Sequence, residues 1–195
     1  MKVGLFFGTF NPIHVGHLII ANYFAEFTDL DKIWFVVSPH NPLKDKSDLL
    51  NQYDRLHLVK LAIEDDTRFR ASDVEFNLPQ PSYTIDTLTY LKEKHPEHEF
   101  VLLMGSDNIV SIHKWKNYEV LLDNYQVYVY KRVNANPEAI NKNVKIFDVP
   151  LLNLSASFIR QCIRDKKSVR YLLPESVYQY VTEMNYYKQA KKTAS

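Results

Sequence analysis

The chain has 195 residues, 46% of them hydrophobic, with 24 Lys and Arg against 23 Asp and Glu. That length supports one domain with a full core, and the balanced charge excludes a broad electrostatic footprint for nucleic acid or a membrane surface. The one cysteine, Cys162, excludes an internal disulfide and reads as a small buried hydrophobe in a reducing compartment.

"KVGLFF" near the start reads as a buried strand. It is too short, and too soon followed by polar residues, for a secretory signal or a membrane span, so a cytoplasmic protein is expected. The next stretch, "GTFNPIHVGH" (residues 8–17), holds two of the chain's four glycines and two of its seven histidines. It leads into "HLIIANYFAEF", whose apolar residues recur at helical spacing. A strand-to-helix junction presents free backbone N–H groups and the positive end of a helix dipole, and phosphates bind there readily. His14 and His17 lie three positions apart, which turns them toward one face, and Gly16 between them would leave room for a ligand to approach the backbone. Taken alone, two imidazoles so spaced more often cap the helix or sit satisfied in the core, and half of a zinc site is a further reading.

"DKIWFVVSPH" reads as a second buried strand stopped by Pro39, followed by the polar loop "NPLKDKSD". Leu56, Val59 and Ile63 mark an amphipathic helix, "TRFRASDVEF" a short strand, and "PSYTIDTLTYLKEKHP" a helix opened by Pro81 and Ser82. "EFVLLMGSD" is a third strong strand that ends on Gly105-Ser106-Asp107. "YQVYVYKR" and "VKIFDVP" read as two more strands, "NLSASFIRQCIRD" as a helix with a serine-rich start, and "PESVYQYVTEMNYYKQAKK" as a closing helix. Residues 1–187 are expected to form one domain and 188–195 a frayed tail.

Strands alternating with helices imply an α/β fold: a doubly wound, mainly parallel sheet covered on both faces, here with a small C-terminal helical part. In such sheets ligands bind beyond the carboxyl ends of the strands, where strand order reverses, and both glycine clusters fall at such ends. The chain has no G-x-x-x-x-G-K-[ST] loop and no G-x-G-x-x-G after the first strand, which disfavours a P-loop kinase and a dinucleotide dehydrogenase. His95, His98 and His113 look too scattered, and too near Pro96, for a zinc site; no protein-held metal is expected, and His40 and His57 are assigned nothing.

"GTFNPIHVGH" resembles the first signature of the nucleotidyltransferase superfamily, and "LSASFIR" resembles its second, the serine-rich I-S-S-T-x-I-R helix start. "VSPHNPLK", "PSYTIDTL", "GSD" before "WKNYEVLL", and "YLLPESVYQYV" are similar, in order and over nearly the whole chain, to the bacterial nicotinate-nucleotide adenylyltransferases. Phe7, Asn11 and Ala156-Ser157 depart from the residues usual there. Phosphopantetheine adenylyltransferases share the histidines but lack a counterpart of "PSYTIDTL", cytidylyltransferases prefer a different base, and a nucleotide-sensing module would keep the pocket without turnover.

The resemblance implies transfer of AMP from ATP to nicotinate mononucleotide, with pyrophosphate released and magnesium arriving with ATP. It implies that His17 donates to the α-phosphate, that His14 helps hold the triphosphate, and that Arg160 neutralises the β- and γ-phosphates. Gly8, Thr9, Phe10, Gly105, Asp107, Ser155 and Ser157 would complete the ATP site, with Asp107 on a ribose hydroxyl. Lys44, the "SYT" segment (Ser82, Tyr83, Thr84) and Trp115 would serve nicotinate mononucleotide, Trp115 as a stacking surface, although Trp115 could also simply pack against Tyr118 or the core.

Overall fold

A computed structural model describes residues 1–39, 49–132, 141–150 and 152–188. Its centre is a six-stranded sheet of β1 (Lys2–Gly8), β2 (Lys32–Val37), β3 (Phe69–Ser72), β4 (Glu99–Gly105), β5 (Gln126–Tyr130) and β6 (Val144–Phe147). The order is β3-β2-β1-β4-β5-β6, and all neighbouring pairs run parallel, so the sheet is wholly rather than mainly parallel. Strands buried on both faces read as continuous apolar runs, which is why "IWFVV" and "FVLLM" stand out. Pleating splits each run between two cores. Val3, Leu5, Trp34, Val36, Leu102 and Met104 face one side, while Phe6, Phe35, Val37, Leu103, Tyr128 and Tyr130 face the other.

The helices α1 (Val15–Phe27), α2 (Gln52–Ile63), α3 (Thr84–Lys94), α4 (Ser106–Val110), α5 (Tyr118–Asn124), α6 (Ala156–Arg164) and α7 (Glu175–Glu183) cover those two faces. Ile20 and Phe24 of α1, Leu56 and Val59 of α2, Ile159 of α6 and Val177 of α7 fill the first core. Ile85, Leu88 and Leu91 of α3 and Leu121 of α5 fill the second. Cys162 is half-buried against the first core and carries no disulfide. Among the described residues no helix is long and apolar enough to cross a membrane.

Three expectations change. "TRFRASDVEF" forms a strand only over Phe69–Ser72 and then a 3-10 turn, Val74–Asn77. The third helix starts at Thr84 rather than at Pro81. The closing helix stops at Glu183, and Asn185 and Tyr187 adopt left-handed φ angles of 54° and 62°, which fold the chain back on itself. From β1 the strands build outward to β3, and then β4 returns to the other side of β1. Strand order therefore reverses between β1 and β4, and the crevice expected there lies between the loop after Gly8 and the turn after Gly105.

Candidate active site

The loop from β1 to α1 is built around one aromatic ring. Phe10 is buried with φ at 45°, and its ring folds back so far that a Cβ on Gly8 would lie 2.8 Å from it. Only glycine fits there. The same ring meets His17 edge-on, with centroids 5.1 Å apart, and packs against Phe6 and Phe35. The Phe10 ring therefore belongs to the core.

His14 is the N-cap residue of α1, and its ring stacks on that of His17 with centroids 3.7 Å apart. The His14 backbone N–H donates to His17 Nδ1 at 3.2 Å. A neutral imidazole that accepts at Nδ1 carries its proton on Nε2, so this contact makes His17 Nε2–H the donor. His14 is 5% exposed, and burial, aided by the charge of Arg132, pulls its pKa down to about 4. Its Nδ1 is buried at the start of α1, where a capping box sets the His14 ring against the His17 backbone N–H. Gly16 serves this ring rather than a ligand: a Cβ there would sit 3.1 Å from His14 Cε1 and Nδ1.

The second signature meets the first. Ser155 caps α6, its Oγ accepting from the Phe158 N–H at 3.2 Å. A hydroxyl used as an acceptor keeps its O–H to give, and Ser155 and Ser157 are both exposed. From the same helix Arg160 Nη1 donates to the Asn11 carbonyl at 2.9 Å and Nη2 to Ser157 Oγ at 3.3 Å. Asn11 Oδ1 also accepts from the Tyr187 hydroxyl at 2.8 Å and the Leu50 N–H at 3.2 Å. The guanidinium of α6 and the histidine loop, far apart in sequence, therefore share one crevice.

Across it, Gly105 ends β4 and Asp107 lies exposed in the first turn of α4. Asp107 Oδ2 is 3.5 Å from Arg132 Nη1, while the Arg132 N–H donates to Ser106 Oγ at 2.8 Å. Arg132 is thus a second cation at the strand ends; nothing in "YKRV" distinguishes it in sequence from a solvated arginine.

On the acceptor side, Tyr83 is the N-cap of α3 and gives no side-chain cap, and Asp86 stands in the first turn. Lys116, next to Trp115, reaches over the Tyr83 ring at 4.7 Å and pairs with Asp86 at 2.8 Å, so the "SYT" segment and Trp115 lie close together. Trp115 also packs, half-buried, against the second core beside Tyr118. Beneath Ser82 lies Glu75, 3% exposed, with its carboxyl pushed up by burial against hydrogen bonds from Ser38, Thr87 and Ser82. Lys44 and His40 lie outside the described residues.

Sequence reasoning also passed over Arg55, which is fully buried, and Tyr187. Both sat inside helical patterns where their apolar neighbours carried the signal. His57 packs on Tyr180, with centroids 4.6 Å apart. His95 and His98 are not scattered: both approach Glu97 Oε1, at 3.5 and 3.4 Å, before the first residue of β4 and away from the crevice. A metal on His98 Nε2 would require its buried, unpartnered Nδ1 to be a donor with no acceptor. The group is better satisfied as imidazoles around a carboxylate.

Three comparisons with known proteins bear on this crevice. The family described as cytidylyltransferase-like matches residues 5–162. A Flavobacterium johnsoniae protein named "Probable nicotinate-nucleotide adenylyltransferase" is 54% identical over 193 residues, covering 97% of this chain and all of that one. A Bacteroides fragilis protein of the same name is 45% identical and covers 93% and 92%. In fold, the chain is similar to the Plasmodium falciparum nicotinic acid mononucleotide adenylyltransferase complexed with NaAD. The TM-score is 0.80 at 19% identity, covering 95% of this chain and 97% of that one.

Proposed function

Since the chain belongs to the nicotinate-nucleotide adenylyltransferases, within the cytidylyltransferase-like family, we propose that its crevice joins ATP to nicotinate mononucleotide, forming nicotinate adenine dinucleotide and pyrophosphate. The observation that carries this reading is the hydrogen bond from Arg160 to the Asn11 carbonyl. It brings the guanidinium of the second signature against the loop that ends in the two histidines.

The attacking group is a phosphate oxygen of the mononucleotide, already largely ionised near neutral pH because its second pKa lies near ~6. No general base is required to create it. The barrier lies in aligning two anions while charge grows on the α-phosphate and the departing pyrophosphate, so positioning and electrostatic stabilisation dominate. His17, with its proton held on Nε2, donates to the α-phosphate. Neutral His14 packs beneath it and lines the triphosphate site. Arg160, with the Ser155 and Ser157 hydroxyls and the start of α6, receives the β- and γ-phosphates. Thr9, Gly8 and the Phe10 N–H complete the cradle, Asp107 takes a ribose hydroxyl, and Gly105 leaves the room the Asp107 carboxylate occupies.

Magnesium enters as part of the substrate. It keeps several waters and prefers phosphate oxygens, which suits a crevice where Arg132 and Arg160 are the cations on either side. For the acceptor, the uncapped start of α3 at Ser82, Tyr83 and Thr84 favours a pyridine carboxylate over a carboxamide, with Trp115 against the ring and Lys44 as a supporting contact. A pyrophosphate-release assay with ATP tests both points. Nicotinate mononucleotide should exceed nicotinamide mononucleotide in kcat/KM; equal values would remove the carboxylate role, and no release with either would remove the reaction.

A further inference from the structure

Arg55 is 0% exposed, burial pulls its pKa down, and among the described residues no carboxylate pairs with it. A buried charge without a counter-ion is costly unless its donors are satisfied. Among the described residues they are satisfied by main-chain carbonyls. Nε donates to Leu50 O at 2.9 Å, Nη1 to Thr9 O at 2.6 Å and Ser38 O at 2.8 Å, and Nη2 to Pro39 O at 2.6 Å. One side chain of α2 thereby ties together three segments at the carboxyl end of the sheet: the loop after β1, the residues after β2 and the approach to α2. A planar guanidinium fork can span them, whereas an ammonium, a point donor, cannot.

The contact with Thr9 has a chemical consequence one atom further on. The Thr9–Phe10 peptide is trans, so its C=O and N–H point in opposite directions. With the carbonyl drawn inward onto Arg55, the Phe10 N–H faces away from the interior, toward the crevice lined by His17 and Arg160. Phe10 itself holds φ at 45°, a left-handed conformation that is unfavourable for a non-glycine residue. Such a backbone persists only where its surroundings over-determine it. The buried Phe10 ring fixes one side of the peptide and Arg55 the other.

We propose that Arg55 is a positioning residue for adenylyl transfer: by gripping the Thr9 carbonyl it presents the Phe10 N–H to the triphosphate. This rests on the ATP-binding reading above. Removing the grip allows the peptide to rotate, which relieves the positive φ and turns a donor away from the phosphates.

The test uses the full chain and measures ATP binding by calorimetry beside turnover, so that loss of the acceptor reaction and loss of this inference are told apart. If the wild type binds ATP but releases no pyrophosphate, the reaction assignment fails and the Arg55 comparison still stands. Arg55→Met and Arg55→Lys are expected to keep their far-UV circular dichroism and to bind ATP about 10- to 100-fold more weakly, the scale set by small misplacements of a binding group. Lysine should fail to rescue although it keeps the charge. A folded Arg55→Met or Arg55→Lys protein with ATP affinity within about threefold of wild type, well below that scale, overturns the proposal. Should both variants fail to fold, the wild-type Phe10 amide resonance decides: a downfield shift on saturation with ATP supports the proposal, and an unmoved resonance overturns it.

Discussion

His17 and His14 show how two like residues, three apart, acquire different roles. The His14 N–H on His17 Nδ1 leaves Nε2–H as the donor of His17, and removing a donor of this kind costs about 10²–10³ in rate. His17→Ala should therefore lose that much turnover in the pyrophosphate-release assay, with an unchanged far-UV circular dichroism spectrum and only a lowered Tm, since its ring also accepts the His14 N–H and packs on Phe10. His14 is held neutral, with a pKa near 4 against an ordinary 6.5. The unfolded chain takes up its proton near pH 6.5 while the folded chain resists. The stability tied to this ring is therefore fully present above pH 6.5 and is lost as pH falls toward 4. Over that window the wild-type Tm should fall more steeply than that of His14→Asn; parallel curves would show that another group controls the acid limb.

The start of α6 separates two jobs that one serine performs. Ser155 accepts from the Phe158 N–H as a cap and is offered here as a donor to phosphate. Ser155→Ala should lose about 1 kcal/mol of stability, the usual worth of a cap. Ser155→Asp should retain that stability, because aspartate caps well, while weakening ATP binding by about tenfold or more through the charge it sets against phosphate. Chemical denaturation and calorimetry on the two variants read the jobs independently. At this scale the sequence was informative where an element has a strong internal period or a sharp chemical mark. The strands β1, β2 and β4, the serine-led α6 and the loop from Gly8 to His17 were all legible for that reason. What stayed hidden depends on distant partners. Arg55 and Glu75 are charged residues whose burial follows from carbonyls and hydroxyls supplied by other segments, and Arg132 becomes a crevice cation only because β5 lies beside β4. Gly16 was misread because its neighbour's ring, not a ligand, fills the space a Cβ would need.

At the scale of the molecule, the sheet order sets β1 beside β4 and opens a crevice that the C-terminal helices must close. A ligand bridging the β1–α1 loop and α6 should stabilise the whole fold. ATP at 100 times its Kd adds about 2.7 kcal/mol, which for a chain of this size raises Tm by roughly 5–11 °C. At the same ATP concentration Arg160→Gln should lose most of that rise. A shift as large as the wild type's would place the triphosphate elsewhere.

The Tyr187 hydroxyl rests on the side chain of Asn11, 176 positions earlier. The loop meant for the nucleotide therefore lacks one of its props until the chain beyond α7 has been made and has folded back. Cleavage between Glu183 and Tyr187 would consequently injure a loop nearly the whole sequence away, so the turn after α7 is a condition for a competent first loop.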